Sequence, residues 1–340
     1  MKTLQDKIFD SILSRFEKKS DAVANLSELL NVGKDAIYRR LRGDTIITPD
    51  EIGILSEEFK LSLDGLIHNQ SNLVFFSFKP FENTLKNFDD YLDSAIKDTE
   101  VVASRPDSVL YYASSEIPIF LIGLVPEVVS FHLYLWGKNA FGFDYLNDLK
   151  FSFDLIPPST KEKYKTLIDL YMKVPSVELW GSNLIDNLLK QIEYHSVSDK
   201  FANPDDALVL LKKLSVMFKH IKEMARHGKK FHPGSEPNSA SHPYELYHNE
   251  LLYIKNTVIG ITPSGVGVFS SFGNPNYLKS YDARITDYVV NWFEKVKLKS
   301  TPLSAAGIPN LDLVFNRIQK KIEKMEAKIR LHLDADIDDL

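Results

Sequence analysis

Apolar positions in the first 67 residues recur at helical spacing. Leu4, Ile8 and Ile12, with Phe9 and Phe16 beside them, form one stripe and predict a helix over residues 4–18. Ser20 or Asp21 can cap a second helix, which Leu26, Leu29 and Leu30 end on an apolar face. Ile37 and Leu41 are four apart and give a third helix its inward side. Thr48-Pro49-Asp50-Glu51 reads as a capping box with proline at the first helical position. The helix it opens carries Ile52, Leu55 and Phe59 inward, and a short turn from Leu61 to Ile67 closes the set. About 65 residues suffice for a small all-α domain.

His68-Asn69-Gln70-Ser71-Asn72 is a polar linker, and from Leu73 the texture changes to β-branched and aromatic residues. Strands are expected at Leu73–Phe78, Val109–Ala113 and Val177–Trp180, and again at Leu251–Ile261 and Val266–Phe272, joined by the turn Thr262-Pro263-Ser264-Gly265. Between them run helical stripes. One follows Leu85, Phe88, Tyr91, Leu92 and Ile96, and Leu184, Leu188, Ile192 and His195 share a face of another. Val128–Trp136 is apolar nearly all round and predicts a buried helix. Ser159 and Glu162 have capping-box spacing and open a helix to about Lys173, and Asn203-Pro204-Asp205 starts one to about Arg226. Residues 228–243 form a long loop rich in Gly, Pro, Ser, Asn and His, of the kind that is either mobile or functional. Helices follow over about 281–297 and 310–331, and the acidic end with Asp334, Asp336, Asp338 and Asp339 reads as frayed.

The last helix places Leu311, Phe315, Ile318, Ile322, Met325 and Ile329 at alternating spacings of four and three, an a/d seam flanked by charges. Such a stripe fits a dimer interface or a helix docked on its own domain about equally well, and the expectation taken is that it makes the dimer. The fold class expected is multidomain α+β. An all-α helix-turn-helix domain (1–68) precedes a mixed α/β domain (72–308) and a C-terminal helix with an acidic tail (309–340).

The run Leu29-Leu30-Asn31-Val32-Gly33-Lys34-Asp35-Ala36-Ile37-Tyr38-Arg39-Arg40-Leu41-Arg42-Gly43 organises the first domain. A sharp turn between two helices needs one residue at positive φ, and Asn31 tolerates it best after glycine. Val32 can plug the turn, Gly33 can cap the next helix, and Gly43 can end it. The outward face then carries Asp35, Tyr38, Arg39 and Arg42, which suits phosphates and guanine edges. This run resembles the helix-turn-helix domains of bacterial transcription regulators of the phage-repressor and BetR-like kind, whose pattern is LLGVSRxxxYRRLRG. Asn31 stands where that pattern has the turn glycine, and Gly33 where it has the capping serine. The resemblance covers residues 4–68. It implies sequence-specific binding of double-stranded DNA through Gly33, Lys34, Asp35, Tyr38, Arg39 and Arg42, by a homodimer.

Composition narrows the partners. The net charge of −5 over 340 residues argues against a generic polyanion binder, so any nucleic-acid contact is local. The absence of cysteine excludes disulfides and zinc–thiolate sites and fits a reducing cytoplasm. Gln5, Asp6 and Asp10 interrupt any apolar leader. The longest apolar stretch, Ile117–Trp136, holds Pro118, Pro126, Glu127 and His132 and is no membrane span.

Candidate chemistry in the larger domain is sparse. His220, His227, His232, His242 and His248 cluster in sequence but lack metal-ligand spacing. His220-Ile221-Lys222 opens like the phospholipase D signature, yet His227 occupies the position of its aspartate and the stretch reads as mid-helix. Gly265 and Gly267 lack the lysine of a phosphate loop, and Ser264 has no GxSxG frame. No catalytic residue, metal or cofactor is expected. Trp136, Trp180 and Trp292 could line an apolar ligand cavity or serve as plain core. The reading is a cytoplasmic transcription regulator, not an enzyme, whose larger domain senses a small-molecule effector or oligomerises. The alternatives are an enzyme in that domain and a helical head that docks a protein.

Overall fold

The computed structural model describes residues 2–338 apart from 17, 60, 62, 68–73, 79–87, 251–255, 274 and 305–306. The chain divides into two compact units, residues 1–75 and 76–340. The expected linker at 68–72 lies outside the described residues.

Unit 1 consists of α1 (Leu4–Leu13), α2 (Lys19–Leu29), α3 (Lys34–Arg42), α4 (Pro49–Glu58) and α5 (Leu63–Ile67). Ile8, Phe9, Ile12, Val23, Leu26, Ile37, Ile47 and Leu55 make its core. Thr3 caps α1 in a reciprocal box with Asp6, and Thr48 caps α4 in the same way with Glu51, Pro49 following as expected. Two boundaries differ from the sequence reading. α1 stops at Leu13 rather than residue 18, and α2 begins after Lys18 with no side-chain cap from Ser20 or Asp21.

In unit 2 the order is β1 (Ser77–Phe78), α6 (Phe88–Ala103), β2 (Val109–Ser114), α7 (Ile119–Ile122), α8 (Pro126–Asn139), α9 (Pro158–Met172), β3 (Ser176–Gly181), α10 (Asp186–Val197), α11 (Asp206–His227), β4 (Tyr244–Asn249), β5 (Thr257–Thr262), β6 (Gly265–Ser271), β7 (Tyr277–Ser280), α12 (Ala283–Lys297), β8 (Thr301–Pro302) and α13 (Ile308–Asp338). Among the described residues the strands form one mixed sheet in the order β1-β7-β6-β5-β2-β3-β4-β8. β2, β3 and β4 run parallel, joined by helical crossovers, whereas β5, β6 and β7 form an antiparallel meander beside β2. Mixed α/β is thus the architecture of this unit.

Alternation along the strands sorts side chains between two faces. Leu110, Tyr112, Trp180, Tyr244 and Leu246 enter the large core beneath α6–α11 and α13. Ala113, Val177, Leu179, Ile259 and Val268 face α12, where Phe293 is fully buried and stacks on Tyr111 with ring centroids 4.6 Å apart. α8 is the buried helix its composition predicts, with Val128, Val129, Phe131, Leu133, Tyr134 and Leu135 all enclosed.

Several expectations are corrected. Among the described residues β1 covers Ser77–Phe78 and not the expected start of the strand, and Leu73 and Leu85 lie outside the described residues. The Ser159/Glu162 box does not form, because Pro157 is the N-cap and Pro158 takes the first helical position. β4 falls where no strand was expected, and β7 and β8 were also unforeseen. α13 runs on to Asp338 instead of ending near 331. Its stripe is filled from within: Leu311, Phe315, Ile318, Ile322 and Ile329 belong to the core shared with α10 and α11. Ser215 donates to Gln319 at 2.7 Å, and Lys222 and Arg226 both reach Asp312. The a/d seam is therefore the docked face of a helix of unit 2. It is neither an exposed dimer seam nor a separate segment. No helix among the described residues is long and apolar enough to cross a membrane.

Candidate functional site

The turn between α2 and α3 is built as the sequence reading required. Asn31 has φ 51°. Its N–H donates to the Glu28 carbonyl at 3.2 Å, and that of Val32 donates to the Ser27 carbonyl at 3.1 Å. This pair of bonds satisfies carbonyls that the end of a helix would leave open. The Ser27 hydroxyl returns a bond to the Val32 carbonyl at 2.6 Å. Gly33 is extended and opens α3; Gly43, at φ 79°, closes it. Ile37 is fully buried, so the opposite side of α3 is turned to solvent.

Gly33, Lys34, Asp35, Tyr38, Arg39 and Arg42 are all exposed. The structure brings the six together along one short helix. Arg42 pairs with Asp44 at 2.8 Å, an exposed contact that competing phosphate can replace. Arg40, between the two outward arginines, does something else. Its guanidinium grips Glu51 at 2.7 and 3.2 Å and bonds the Ala36 carbonyl, tying α3 to the start of α4. Burial pushes the Glu51 carboxyl up, but its bonds to Arg40 and Thr48 outweigh this and hold it below the usual range. Lys34, Arg39 and Arg42 thus stand against Asp35 and Asp44, leaving the face mildly cationic. Ile46, just beyond the helix, is 80% exposed.

One residue that positions this face escaped the sequence reading. Gln5 donates to the carbonyls of Arg40 and Thr45 at 2.7 and 2.8 Å and accepts from the Ile47 N–H at 3.0 Å. It fixes the path of the chain after α3. Nothing local in the sequence marks it, since its partners are 35 to 42 residues away.

Unit 2 carries a cavity of about 140 Å³ between α6, the α7–α8 segment and the strands β2, β5 and β6. Trp136 lines it, as one of the two sequence readings allowed. Trp180 is instead core, and Trp292 packs with α12 on the other face of the sheet. His132 also lines the cavity and lies against Trp136 with ring centroids 4.0 Å apart. Its Nε2 is shut off from solvent without a hydrogen-bond partner, and burial pushes its pKa down to about 3. Of the clustered histidines, His220 and His227 both pack against Phe231, with ring centroids 5.0 and 6.0 Å away. His220 donates to the Phe231 carbonyl at 2.8 Å, and His232 lies 3.4 Å from Asp169. No group of three or more metal-ligating side chains occurs among the described residues.

A second unforeseen cluster is wholly interior. Glu178 on β3 accepts from Tyr171, from Trp180 Nε1 at 2.8 Å and from Tyr244 at 3.2 Å. Lys230 donates to the carbonyls of Tyr171 and Val174 at 3.0 and 2.8 Å, its ammonium 3.2 Å from the centre of the Tyr171 ring. Burial raises the Glu178 carboxyl and lowers the Lys230 ammonium, while the donors around Glu178 and the field of each charge on the other oppose this. Both side chains are sealed from solvent, and the cluster braces the elements packed around it. It anchors the start of the 228–243 loop, whose base is closed by the bridge between Lys229 and Pro243.

Comparison with protein-family models, curated proteins and solved structures finds no match to this chain.

Proposed function

We propose that the protein is a sequence-specific transcription regulator that binds double-stranded DNA through α3 of unit 1, with unit 2 as its effector and assembly unit. The observation that carries this reading is the division of labour among neighbouring arginines. Arg40 is spent on Glu51, while Arg39 and Arg42, with Lys34 and Tyr38, are left on the exposed side of a helix entered by a tight Asn31 turn. A helix presented in this way fits a major groove, where arginine reads guanine edges and lysine meets phosphate. The net charge of −5 confines such contact to this patch.

Regulators of this kind bind as two-fold pairs on half-sites about one helical turn apart. A homodimer belongs to the proposal, and its contact lies elsewhere than the α13 stripe. A cytoplasmic location belongs to the same proposal.

Selection of bound sequences from random DNA, followed by salt titration of the best binder, tests the reading. Arg39→Ala or Arg42→Ala is expected to cost about 1–3 kcal/mol of specific binding where the side chain reads a base. Where it meets phosphate, the loss is uniform across sequences and the salt slope shrinks. Unchanged affinity in both variants, with the fold intact by circular dichroism, excludes this face.

A further inference from the structure

We infer that the cavity of unit 2 is a binding site for a neutral, single-ring-sized apolar molecule bearing one hydroxyl group, which pairs with the imidazole of His132. The inference does not rest on the DNA-binding reading. Three observations carry it: the size of the cavity, the character of its wall, and one unsatisfied polar group.

At about 140 Å³ the cavity is close to the ~150 Å³ that accommodates benzene in an apolar protein interior. Its wall is dominated by Tyr91, Val102, Phe120, Trp136 and Phe269, so contact and burial favour a ring or a compact hydrocarbon. No lysine or arginine is among the lining residues. The carboxylates that do reach the wall, Asp98 and Glu116, are already engaged. Asp98 accepts from Lys279 and from Tyr277, and Glu116 accepts from Asn187 at 3.0 Å. An anionic ligand finds no lysine or arginine on the wall to pair with. A cationic ligand meets at Asp98 a charge that Lys279 already balances, and at Glu116 a carboxylate already bonded by Asn187.

His132 supplies the polar specificity. A buried nitrogen without a partner is a standing cost to the protein, removed by any ligand group that can bond to it. The imidazole is neutral, so its ring nitrogens comprise one donor and one acceptor. Nε2 is closed off in the ligand-free protein, so the imidazole turns about its bond to Cβ to bring that nitrogen to the ligand, half a turn exchanging it with the ring carbon beside it. A hydroxyl both donates and accepts, and so answers either tautomer. A ketone or an ether answers only one.

The test titrates phenol, toluene, benzoate and benzylamine into the full chain, without DNA, by calorimetry. Phenol is expected to bind most tightly, with toluene about three- to tenfold weaker for want of one hydrogen bond. Benzoate and benzylamine are expected to be weaker than toluene. His132→Phe keeps a ring in place and should erase the preference for phenol over toluene while leaving toluene affinity within about twofold. Ala95→Leu places extra carbon in the cavity from α6 and should abolish binding of both, its fold checked by thermal melting. No measurable binding of phenol or toluene overturns the proposal. So does phenol binding that survives Ala95→Leu in a folded protein, or a phenol preference that survives His132→Phe. Because DNA is absent throughout, failure here leaves the reading of α3 standing, and loss of DNA binding in the Arg39 or Arg42 variants leaves this site standing.

Discussion

The two units hold their polar groups in different ways. Unit 1 uses devices at its surface and between short helices: two capping boxes, an αL asparagine, and the Arg40–Glu51 pair, whose members are 11 residues apart. Unit 2 buries a carboxylate and an ammonium in its core and satisfies them with groups drawn from α9, β3, β4 and the loop after α11. In the first unit each device stabilises one turn or one junction. In the second, a single side chain stands between several elements and the desolvation cost of the others. Damage should therefore be graded in unit 1 and severe in the core of unit 2.

The sharpest way to break that contrast is Lys230→Met. The substitution keeps much of the side chain's length and removes its charge. It leaves the Tyr171 and Val174 carbonyls without their donor and Glu178 without the cation that offsets its burial. Removing one member of a buried charged set costs about 3–5 kcal/mol. Urea unfolding followed by tryptophan fluorescence reads it directly, because Trp136, Trp180 and Trp292 all lie in unit 2. Glu178→Gln alone should also destabilise, and the double variant should lose less than the sum of the two. A loss below about 0.5 kcal/mol for Lys230→Met, as for an ordinary surface position, would remove the distinction between the units.

The same contrast explains what could be read from the amino-acid sequence. The Thr48–Glu51 box, the Asn31 turn, the Gly43 stop and the Pro263-Ser264 hairpin turn are each specified by neighbours, and each formed. The Ser159/Glu162 box has the right spacing, but Pro157 and Pro158 offered a start already suited to a helix, and that start won. β4 carries a period-two pattern, with Tyr244, Leu246 and His248 buried, yet Glu245 and Asn249 are poor strand formers. Its pairing with β3 supplies what its own residues lack. The stripe on α13 was legible as a stripe, but its partner was not, because a helix docked at home and a helix docked on a second copy bury the same side chains. For the candidate sites, the face of α3 follows from helical geometry alone. Gln5, Glu178 and Lys230 become meaningful only once residues tens of positions away are brought beside them.

A smaller effect is expected in unit 1. Asn31→Val forces a β-branched residue into the left-handed region, at a cost on the order of 1–2 kcal/mol, whereas Asn31→Gly should be neutral or stabilising. Amide exchange of peptides spanning α2 and α3 measures this within the full chain. The valine variant should exchange about 5- to 30-fold faster, and the glycine variant no faster than the parent. Equal protection in the two variants would mean that the turn is held by its neighbours and not by residue 31.

The gentlest probe is proton concentration, and its sign can be worked out for Glu51. Burial raises the Glu51 carboxyl, but the Arg40 guanidinium and the Thr48 N–H and hydroxyl together hold it below its ordinary value in the folded state. A group lowered on folding binds fewer protons in the native chain than in the unfolded one over the interval between its two pKa values. Its contribution is therefore complete above the unfolded value and declines as pH falls through the folded value. Carboxyl carbon shifts in protein labelled at glutamate should show Glu51 titrating below the bulk of the glutamates. Arg40→Met should move it upward, since burial then acts with less opposition. The acid sensitivity of the α3–α4 junction should fall in Glu51→Gln, which keeps an acceptor for the Thr48 N–H but cannot be protonated in this range. If Glu51 titrates with the exposed glutamates in the parent protein, the Arg40 contact is not populated in solution, and Arg40 returns to the group of arginines free to meet DNA.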